Sequence, residues 1–233
     1  MSREERLCIA LDFGSRDEIL AAARRFAWKV GWLKIGLEAF ISHGPRIVGE
    51  VAQTGARVFL DLKLHDIPTT VGRSVAAATR SGASMINVHA LGGREMLVAA
   101  REAAAGPNAP KLVAVTLLTS LDAQALADLP VAGHAEGITR RLAMLSKECG
   151  LDGVVCSPQE LGAVKGACGS RFLTVVPGIR SAGSERFDQR RIATPSSALA
   201  AGADLLVVGR PIIAAADPDA ALEGVLAEIK SSS

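Results

Sequence analysis

The feature that most constrains this chain is a regular alternation of two kinds of segment from one end to the other. Short apolar runs rich in Val, Leu and Ile have the length and composition of buried strands, and the Ala-rich segments between them have the apolar spacing of helices. The predicted strands are 7–13, 32–37, 57–64, 85–91, 112–118, 153–157, 172–179 and 205–210. The predicted helices are 17–27, 70–81, 93–104, 139–149, 158–165, 196–201 and 219–229.

Eight strand–helix units in a row predict a parallel sheet closed into a single (β/α)8 TIM barrel that takes up residues 1–233 as one domain. An open doubly wound sheet is the alternative topology. Only 3% of the residues are aromatic and none is Tyr, so the core must consist of small aliphatic side chains. That composition suits helices packed on a parallel sheet.

Charge and composition argue against several classes of partner. The net charge is +2 with Lys and Arg scattered, and few aromatic side chains are available to stack on bases, so we expect no nucleic-acid binding. No apolar run reaches the length of a membrane helix, which predicts a soluble protein without membrane association. The four cysteines lack C-x-x-C spacing, as expected for reduced thiols in the cytoplasm.

A charged motif closes the third predicted strand at Asp61-Leu62-Lys63-Leu64-His65-Asp66. Because side chains alternate along a strand, Asp61 and Lys63 are predicted to share one face, and the intervening leucines the other. Burying opposite charges is costly unless they pair with each other and with further polar groups. This arrangement is typical of a catalytic site, although an ordinary ion pair at a barrel rim is the alternative.

The other predicted strands also carry polar residues where they end. Asp12 closes the first strand and Lys34 lies near the end of the second. In a barrel the carboxyl ends of all strands converge on one mouth, where the active sites of such enzymes lie. Asp12, Lys34, Asp61 and Lys63 are therefore predicted to alternate in charge around one cavity.

Short motifs follow these strand ends in order along the chain. They are Ala10-Leu11-Asp12, Lys34-Ile35-Gly36, the stretch 61–70 (DLKLHDIPTT), Leu118-Thr119-Ser120, Pro177-Gly178-Ile179-Arg180, Asp188-Gln189-Arg190-Arg191 and Gly209-Arg210-Pro211. Together they resemble the bacterial type of the orotidine 5'-phosphate decarboxylase family. The resemblance implies a homodimeric (β/α)8 barrel with shared active sites. It also implies conversion of orotidine monophosphate to uridine monophosphate and carbon dioxide, the last step of UMP synthesis, without metal or cofactor.

The resemblance further implies a role for each charged residue of the site. Lys63 would stabilise negative charge at C6 of the pyrimidine and protonate that carbon, and Asp61 would keep Lys63 charged and in place. Lys34 would complete the charge array, and Asp66 would enter the site of the neighbouring subunit. The implied substrate-binding residues are Asp12 and Lys34 for ribose, Ile67 and Thr70 across the interface, Thr119 for the base or for closing the loop from across the mouth, and Arg180, Gln189, Gly209 and Arg210 for phosphate. The less regular segment 181–187 would belong to the loop over the phosphate.

Three other functions fit part of this pattern. Sugar-phosphate decarboxylases and hexulose-phosphate synthases share Asp-x-Lys-x-x-Asp but use magnesium, and they carry Glu where this chain has Lys34. A class I aldolase would need Lys63 with a lowered pKa, whereas flanking carboxylates raise it. A barrel that binds nucleotide without reacting would be expected to lack one of the charged residues, and all are present.

The four histidines predict no metal site. His43, His89 and His134 have neither mutual spacing nor carboxylate or cysteine partners of the kind a metal needs. His65 lies within the charged motif, where a structural or interfacial role is the expectation. The sequence therefore predicts an enzyme without metal or cofactor.

Overall fold

The computed structural model describes residues 2–180 and 193–230. Eight parallel strands hydrogen bond in sequence order and close into a barrel, which confirms the predicted (β/α)8 architecture. The strands are β1 (Leu7–Ala10), β2 (Trp32–Ile35), β3 (Arg57–Leu64), β4 (Met85–His89), β5 (Lys111–Val115), β6 (Gly153–Val155), β7 (Leu173–Val176) and β8 (Leu205–Val208).

Helices follow the strands and form the outer layer. They are α1 (Arg16–Phe26), α2 (Leu37–His43), α3 (Arg46–Ala52), α4 (Pro68–Arg80), α5 (Gly93–Ala103), α6 (Ala123–Ala127), α7 (Ala135–Glu148), α8 (Leu161–Cys168), α9 (Pro195–Ala200), α10 (Arg210–Ile213) and α11 (Pro218–Lys230). Short 3-10 turns precede β1, α5 and α8.

The structure corrects the sequence prediction in two respects. Most predicted strands run two or three residues too far, because the apolar pattern continues past the last ladder hydrogen bond into the loop at the barrel mouth. The sequence pattern also predicts no helix at the short α6 and α10, and none in the segment between β2 and β3, which forms α2 and α3. Gly44, at a φ of 70°, and Pro45 divide it into two helices of seven residues each, too short to give a clear helical period.

Two apolar layers enclose the strands. The interior of the barrel is filled from alternate strand positions by Cys8, Ala10, Trp32, Phe59, Met85, Val113, Val175, Leu205 and Val207. The opposite strand faces pack against the helices in a much larger cluster. Both layers are buried and apolar, so a polar side chain on an interior position must find its partners within the barrel.

The period of two residues along a strand brings polar side chains to the mouth of the barrel. Two residues beyond the interior Trp32, Phe59 and Met85 lie Lys34, Asp61 and Asn87, and all three are buried. Leu62 and Leu64 pack instead against the outer cluster, as the predicted alternation requires. On these three strands the interior face therefore changes from apolar to polar over two residues.

The cysteines and the helices give two further observations. All four cysteines are free and buried, in agreement with the prediction of reduced thiols. In the described part of the chain, none of the helices combines the length and apolar character needed to cross a bilayer.

Candidate active site

A cavity of about 230 Å³ opens at the carboxyl ends of the strands, and we call it the mouth cavity. Its floor is apolar and its walls are charged. It is lined by Ala10, Asp12, Lys34, Phe59, Asp61, Lys63, Asn87, Thr119, Val155, Val175, Pro177, Gly178, Arg180, Val207, Gly209 and Arg210. Eight predicted site residues therefore surround one space, namely Asp12, Lys34, Asp61, Lys63, Thr119, Arg180, Gly209 and Arg210.

Four charged side chains form a continuous alternating array in this cavity. The Lys34 ammonium lies 3.3 Å from Asp12 Oδ1 and 3.2 Å from Asp61 Oδ2. The Lys63 ammonium lies 2.6 Å from Asp61 Oδ1. Asp61 is thus placed between two lysines, as the sequence predicted. Lys63, whose side chain is 33% exposed, is the more open of the two ammonium groups.

The two buried members of the array, Asp61 and Lys34, hold each other in their charged forms. Burial raises the pKa of Asp61, but the charges of Lys34 and Lys63 together with donated hydrogen bonds outweigh burial, and the net effect is a lowered pKa. Burial lowers the pKa of Lys34, and the carboxylates of Asp61 and Asp12 more than offset it, so the pKa is raised. The buried carboxylate and ammonium therefore remain ionised at neutral pH.

Asn87 belongs to the site although sequence reasoning gave it no role. Its side chain, 1% exposed, donates from Nδ2 to Asp61 Oδ1 at 2.7 Å and accepts at Oδ1 from the Lys63 backbone N–H at 2.8 Å. The available signal was its place at the end of β4, two residues beyond an interior methionine. Its contact with Lys63 could not be predicted, because it depends on an irregularity in β3.

That irregularity is a shift of register between β3 and β4. Leu60 pairs with Ile86 and Leu64 with Val88, so four residues of β3 match two of β4. Within the shift Lys63 has a φ of 52°, the one positive value among non-glycine residues in the described chain. Such backbone is unfavourable for a lysine and persists only where surrounding contacts enforce it.

Two arginines stand at the part of the cavity formed by the last strands. Arg180 follows β7 and is buried, and Arg210 begins α10 directly after β8. Burial, and secondarily the charge of Arg210, lower the pKa of Arg180. Two guanidinium groups at this location favour an anionic group between them, and barrels commonly bind phosphate after strands seven and eight.

Three of the predicted site residues that the structure describes are not brought into the cavity of this chain. Asp66, Ile67 and Thr70 are exposed at and before the start of α4, and Asp66 Oδ1 accepts a hydrogen bond from the Ile67 backbone N–H at 2.6 Å. Gln189 lies outside the described residues, as do the neighbouring residues predicted to close over the phosphate. The prediction that Asp66 serves a neighbouring subunit is compatible with its position but is not tested by it.

His65 and His89 stack beside the array with ring centroids 5.3 Å apart. Burial, with smaller contributions from His65 and Lys63, lowers the pKa of His89 to about 4. His89 is therefore neutral at physiological pH. In the described residues there is no cluster of three or more His, Cys, Asp or Glu side chains that could hold a metal ion.

A second, wider depression of about 600 Å³ lies beside α6 and the start of α7. Its lining is mainly apolar, and the carboxylate of Asp122 caps α6 by accepting from the Ala125 backbone N–H. The mouth cavity is smaller but contains the charged array, and it is therefore the candidate active site.

Comparison with known proteins places the chain in one family. Residues 5–225 match the model of the "Orotidine 5'-phosphate decarboxylase / HUMPS family". The orotidine 5'-phosphate decarboxylase of Chromobacterium violaceum is 51% identical over 222 residues, which cover 95% of this chain and 90% of that protein. The enzyme of the same name from Nitrosococcus oceani is 48% identical over 229 residues, covering 98% and 99%.

A solved structure agrees with these relatives. The crystal structure of orotidine 5'-phosphate decarboxylase from Lactobacillus acidophilus superposes with a TM-score of 0.84 at 35% sequence identity, covering 97% of this chain and 99% of that one. The family match, the extent of identity and the shared barrel all point the same way. The chain belongs to the Orotidine 5'-phosphate decarboxylase / HUMPS family.

Proposed function

We propose that this chain is a carboxy-lyase that decarboxylates orotidine 5'-monophosphate to uridine 5'-monophosphate and carbon dioxide in pyrimidine biosynthesis. The observation that carries the proposal is the Asp12–Lys34–Asp61–Lys63 array at one cavity, with two arginines at its other end. The relatives that are about half identical over nearly the whole chain bear that enzyme name, which supports the same assignment.

The chemistry requires a positive charge at the carbon that loses carbon dioxide. When the bond from C6 to the carboxylate breaks, its electron pair stays on C6 with no conjugated group to accept it. An ammonium fixed beside C6 stabilises this charge and then supplies the proton that replaces carbon dioxide. Lys63 has this role in our proposal, because its ammonium faces the cavity and is held at 2.6 Å by Asp61.

Asp61 and Lys34 prepare Lys63 for the reaction. The carboxylate of Asp61 holds the Lys63 ammonium in place through an ion pair of 2.6 Å, and Lys34 on its other side keeps Asp61 ionised. Because these charges are already in place before substrate binds, little reorganisation is needed as negative charge develops at C6. After proton transfer, solvent would restore the proton to Lys63 through the cavity opening.

The opposite parts of the cavity would bind the rest of the nucleotide. Asp12, half exposed beside Lys34, is placed to accept a hydrogen bond from a ribose hydroxyl. Arg180 and Arg210 would hold the phosphate, with Gly209 beside it and Thr119 near the base. The same role for Gln189 rests on the resemblance alone. Binding free energy at the distant phosphate would then contribute to the rate by fixing the pyrimidine against Lys63.

We further propose a homodimer in which each site receives Asp66 from the partner, with Ile67 and Thr70 contacting the same ligand. Support comes from the exposure of these residues in the single chain and from their closeness in sequence to Lys63. Ile67 is 66% exposed and Leu91 is 43% exposed, so an apolar surface is available near the stacked histidines. A second carboxylate near the departing carboxylate of the substrate would disfavour the ground state.

The closest rival within the family is a magnesium-dependent sugar-phosphate decarboxylase or synthase. The contact of Lys34 with both Asp12 and Asp61 supports the branch without metal, because an ammonium occupies the position where a metal-binding carboxylate would be needed. A purely binding role leaves unexplained why the cavity contains a complete set of ionised groups.

We also expect residues 1–233 to form one domain that works in the cytoplasm. The continuous barrel supports the first expectation, and the four free, buried thiols support the second.

The test is an ultraviolet assay of the purified protein with orotidine monophosphate. We expect loss of substrate absorbance, release of one carbon dioxide per uridine monophosphate formed, and no activity in a Lys63→Ala control purified in parallel. Dialysis against EDTA is expected to leave the rate unchanged. Activity that EDTA abolishes and magnesium restores would support the metal-dependent rival, and an inactive wild type would overturn the proposal.

A further inference from the structure

The side chain of Asn87 contacts two members of the charged array at once, and these contacts close a ring. Asn87 Oδ1 accepts from the backbone N–H of Lys63, Asn87 Nδ2 donates to Asp61 Oδ1, and Asp61 Oδ1 also accepts from the Lys63 ammonium at 2.6 Å. The ring therefore joins both ends of Lys63, its backbone and its ammonium, through one amide and one carboxylate.

The orientation of the Asn87 amide follows from the chemistry of its two partners. A backbone N–H can only donate, so the atom that faces Lys63 must be the carbonyl oxygen. An ionised carboxylate can only accept, so the atom that faces Asp61 must be the amino group. A carboxamide meets both demands at any pH, whereas an ionised aspartate would meet only the first.

The backbone of Lys63 explains why such a residue is needed. The register shift between β3 and β4 removes the Lys63 N–H from the regular ladder, and the φ of 52° is unfavourable for a residue with a Cβ. A buried N–H without a partner is also costly. Asn87, on the adjacent strand and buried itself, supplies that partner.

We infer that Asn87 is a positioning residue of the active site, which holds Lys63 in its left-handed conformation and directs its ammonium to the cavity through Asp61. The inference rests on the proposed function, since it assigns Asn87 to the reaction that Lys63 performs. Asn87 does not need to contact the substrate for this role.

A second consequence concerns the ionisation of Asp61. Burial raises the pKa of Asp61, and the donor from Asn87 is among the groups that lower it. Cys8 stays a thiol because burial raises its pKa, and His89 is neutral because burial lowers its pKa to about 4. The titratable groups around Asp61 are Cys8 on β1, Asp12 after β1, Lys34 on β2, Lys63 on β3 and His89 on β4, and Arg180 and Arg210 line the same cavity.

Two variants separate the functions of the amide. Asn87→Ala removes both contacts, and we expect kcat to fall roughly 10- to 100-fold, because the Lys63 ammonium is no longer held in place; the range is that of one hydrogen bond to a charged group. The dissociation constant of uridine monophosphate is expected to change less than about threefold, because Asn87 does not bind the nucleotide. Asn87→Asp keeps the acceptor for Lys63 but places a carboxylate against Asp61.

The pH profile of Asn87→Asp gives a signature that a purely structural role would not produce. Two adjacent buried carboxylates resist simultaneous ionisation, so one takes up a proton well above its usual pKa. Once protonated, Asp at position 87 can donate to Asp61 as the amide does. The activity of Asn87→Asp is therefore expected to rise between pH 8 and pH 6, relative to wild type measured at the same pH.

The decisive experiment combines this profile with a readout that does not depend on turnover. Carbon-13 NMR of aspartate carboxyls, with the Asp61 signal assigned by its absence in Asp61→Asn, is expected to show a higher titration midpoint for Asp61 in Asn87→Ala. Thr174→Val, which removes a buried hydroxyl at the far end of the barrel, is the control and is expected to leave that midpoint unchanged.

An unchanged Asp61 midpoint in Asn87→Ala, together with kcat within about twofold of wild type, would overturn the inference. If Asn87→Ala fails to fold, Asn87→Asp decides, and a relative activity that does not rise at lower pH would overturn it. A wild type that does not decarboxylate orotidine monophosphate would refute the proposed function instead, while the Asp61 midpoint would still report on the contact.

Discussion

The two ends of the barrel each contain buried or half-buried ion pairs, but the pairs use their hydrogen bonds differently. At the amino-terminal end, Lys165 bonds to Asp204 and to the backbone carbonyls of Ser170 and Phe172, and Asp204 also accepts from the Thr174 backbone N–H. We call Lys165, Thr174 and Asp204 the base network. Its members connect α8, β7 and the start of β8, so it serves the fold.

At the mouth, the lysines contact carboxylates and leave capacity for a ligand. Lys34 and Lys63 approach Asp12 and Asp61, and within the described residues no backbone carbonyl bonds to either ammonium. Each ammonium can donate three hydrogen bonds, so donors remain toward the cavity. The comparison shows that the lysine of the base network uses its donors within the fold, whereas the lysines at the mouth keep donors available for the substrate that we propose.

The largest effect that sharpens this comparison concerns the shared site. Lys63→Ala and Asp66→Ala homodimers are each expected to be nearly inactive. In a mixed dimer one site has both lesions and the other has none, so the isolated mixed dimer should have about half of wild-type activity, and the unfractionated random mixture about a quarter. The variants are to be co-expressed with different tags, and the mixed dimer isolated and assayed. Mixed dimers as inactive as the parents would mean that Asp66 acts within its own chain.

A smaller effect is expected from the arginine that follows β8. Arg210→Ala should lower kcat/KM for orotidine monophosphate, because a charge-assisted contact with phosphate is lost. The decrease should correspond to about 2 to 4 kcal/mol of transition-state stabilisation. The loss should nearly vanish with orotidine, which lacks phosphate. Arg101→Ala, which breaks a pair with Asp152 near the base of the barrel, is the control and should not change the ratio between the two substrates. Equal losses on both substrates for Arg210→Ala would contradict the assignment.

Gly36 tests how closely the mouth array is packed. A Cβ at this position would lie 3.2 Å from Lys34 Nζ and 3.3 Å from Asp12 Oδ1, although the backbone itself accepts alanine. Gly36→Ala should therefore displace that pair and lower kcat/KM by roughly tenfold, about 1.4 kcal/mol, within the range of overpacking effects. Gly166→Ala in α8, where a Cβ meets no atom within 4 Å, is the matched control and should retain full activity. Equal activities would show that Gly36 has no such role.

The smallest effect concerns stability and pH. The pKa of His89 is lowered from 6.5 to about 4, so between these values the unfolded chain binds a proton that the folded chain does not. The free energy of unfolding should therefore fall as pH decreases from about 6.5 to 4. His89→Asn should reduce the difference between pH 7 and pH 5 by about 1 kcal/mol, a value discounted for partial exposure. Denaturant titrations at both pH values measure it, and an unchanged difference would show that His89 does not contribute.

The barrel and most of the mouth cavity could be predicted because they follow from local rules. Apolar runs of strand length alternate with helical spacing, and in such a fold every strand end points to the same mouth. Asp12, Lys34, Asp61 and Lys63 were recognised on this basis, and the structure brings them together. The sequence does not predict the short helices α2 and α3. Each has only seven residues, too few to show a clear helical period, and Gly44 and Pro45 separate them.

The contact between Asn87 and Lys63 could not be predicted from the sequence, for a different physical reason. This contact depends on the register shift between β3 and β4, which is a property of two strands in contact and leaves no pattern in either alone. The proposed place of Asp66 in a partner's site likewise involves a second chain, and no pattern within one sequence specifies such a contact.

The central claim is that the mouth array serves the reaction and the base network serves the fold, and two matched substitutions test it directly. Lys63→Met is expected to lower kcat/KM for orotidine monophosphate more than about 10³-fold while changing the free energy of unfolding by less than about 1 kcal/mol, because Asp61 keeps Lys34 and Asn87 as partners. Lys165→Met is expected to cost about 2 to 3 kcal/mol of stability and leave kcat/KM of the folded protein within about threefold, because a half-buried pair and two carbonyls lose their partner. A Lys63→Met protein that retains more than about a tenth of wild-type activity, and is destabilised more than Lys165→Met, would contradict the account.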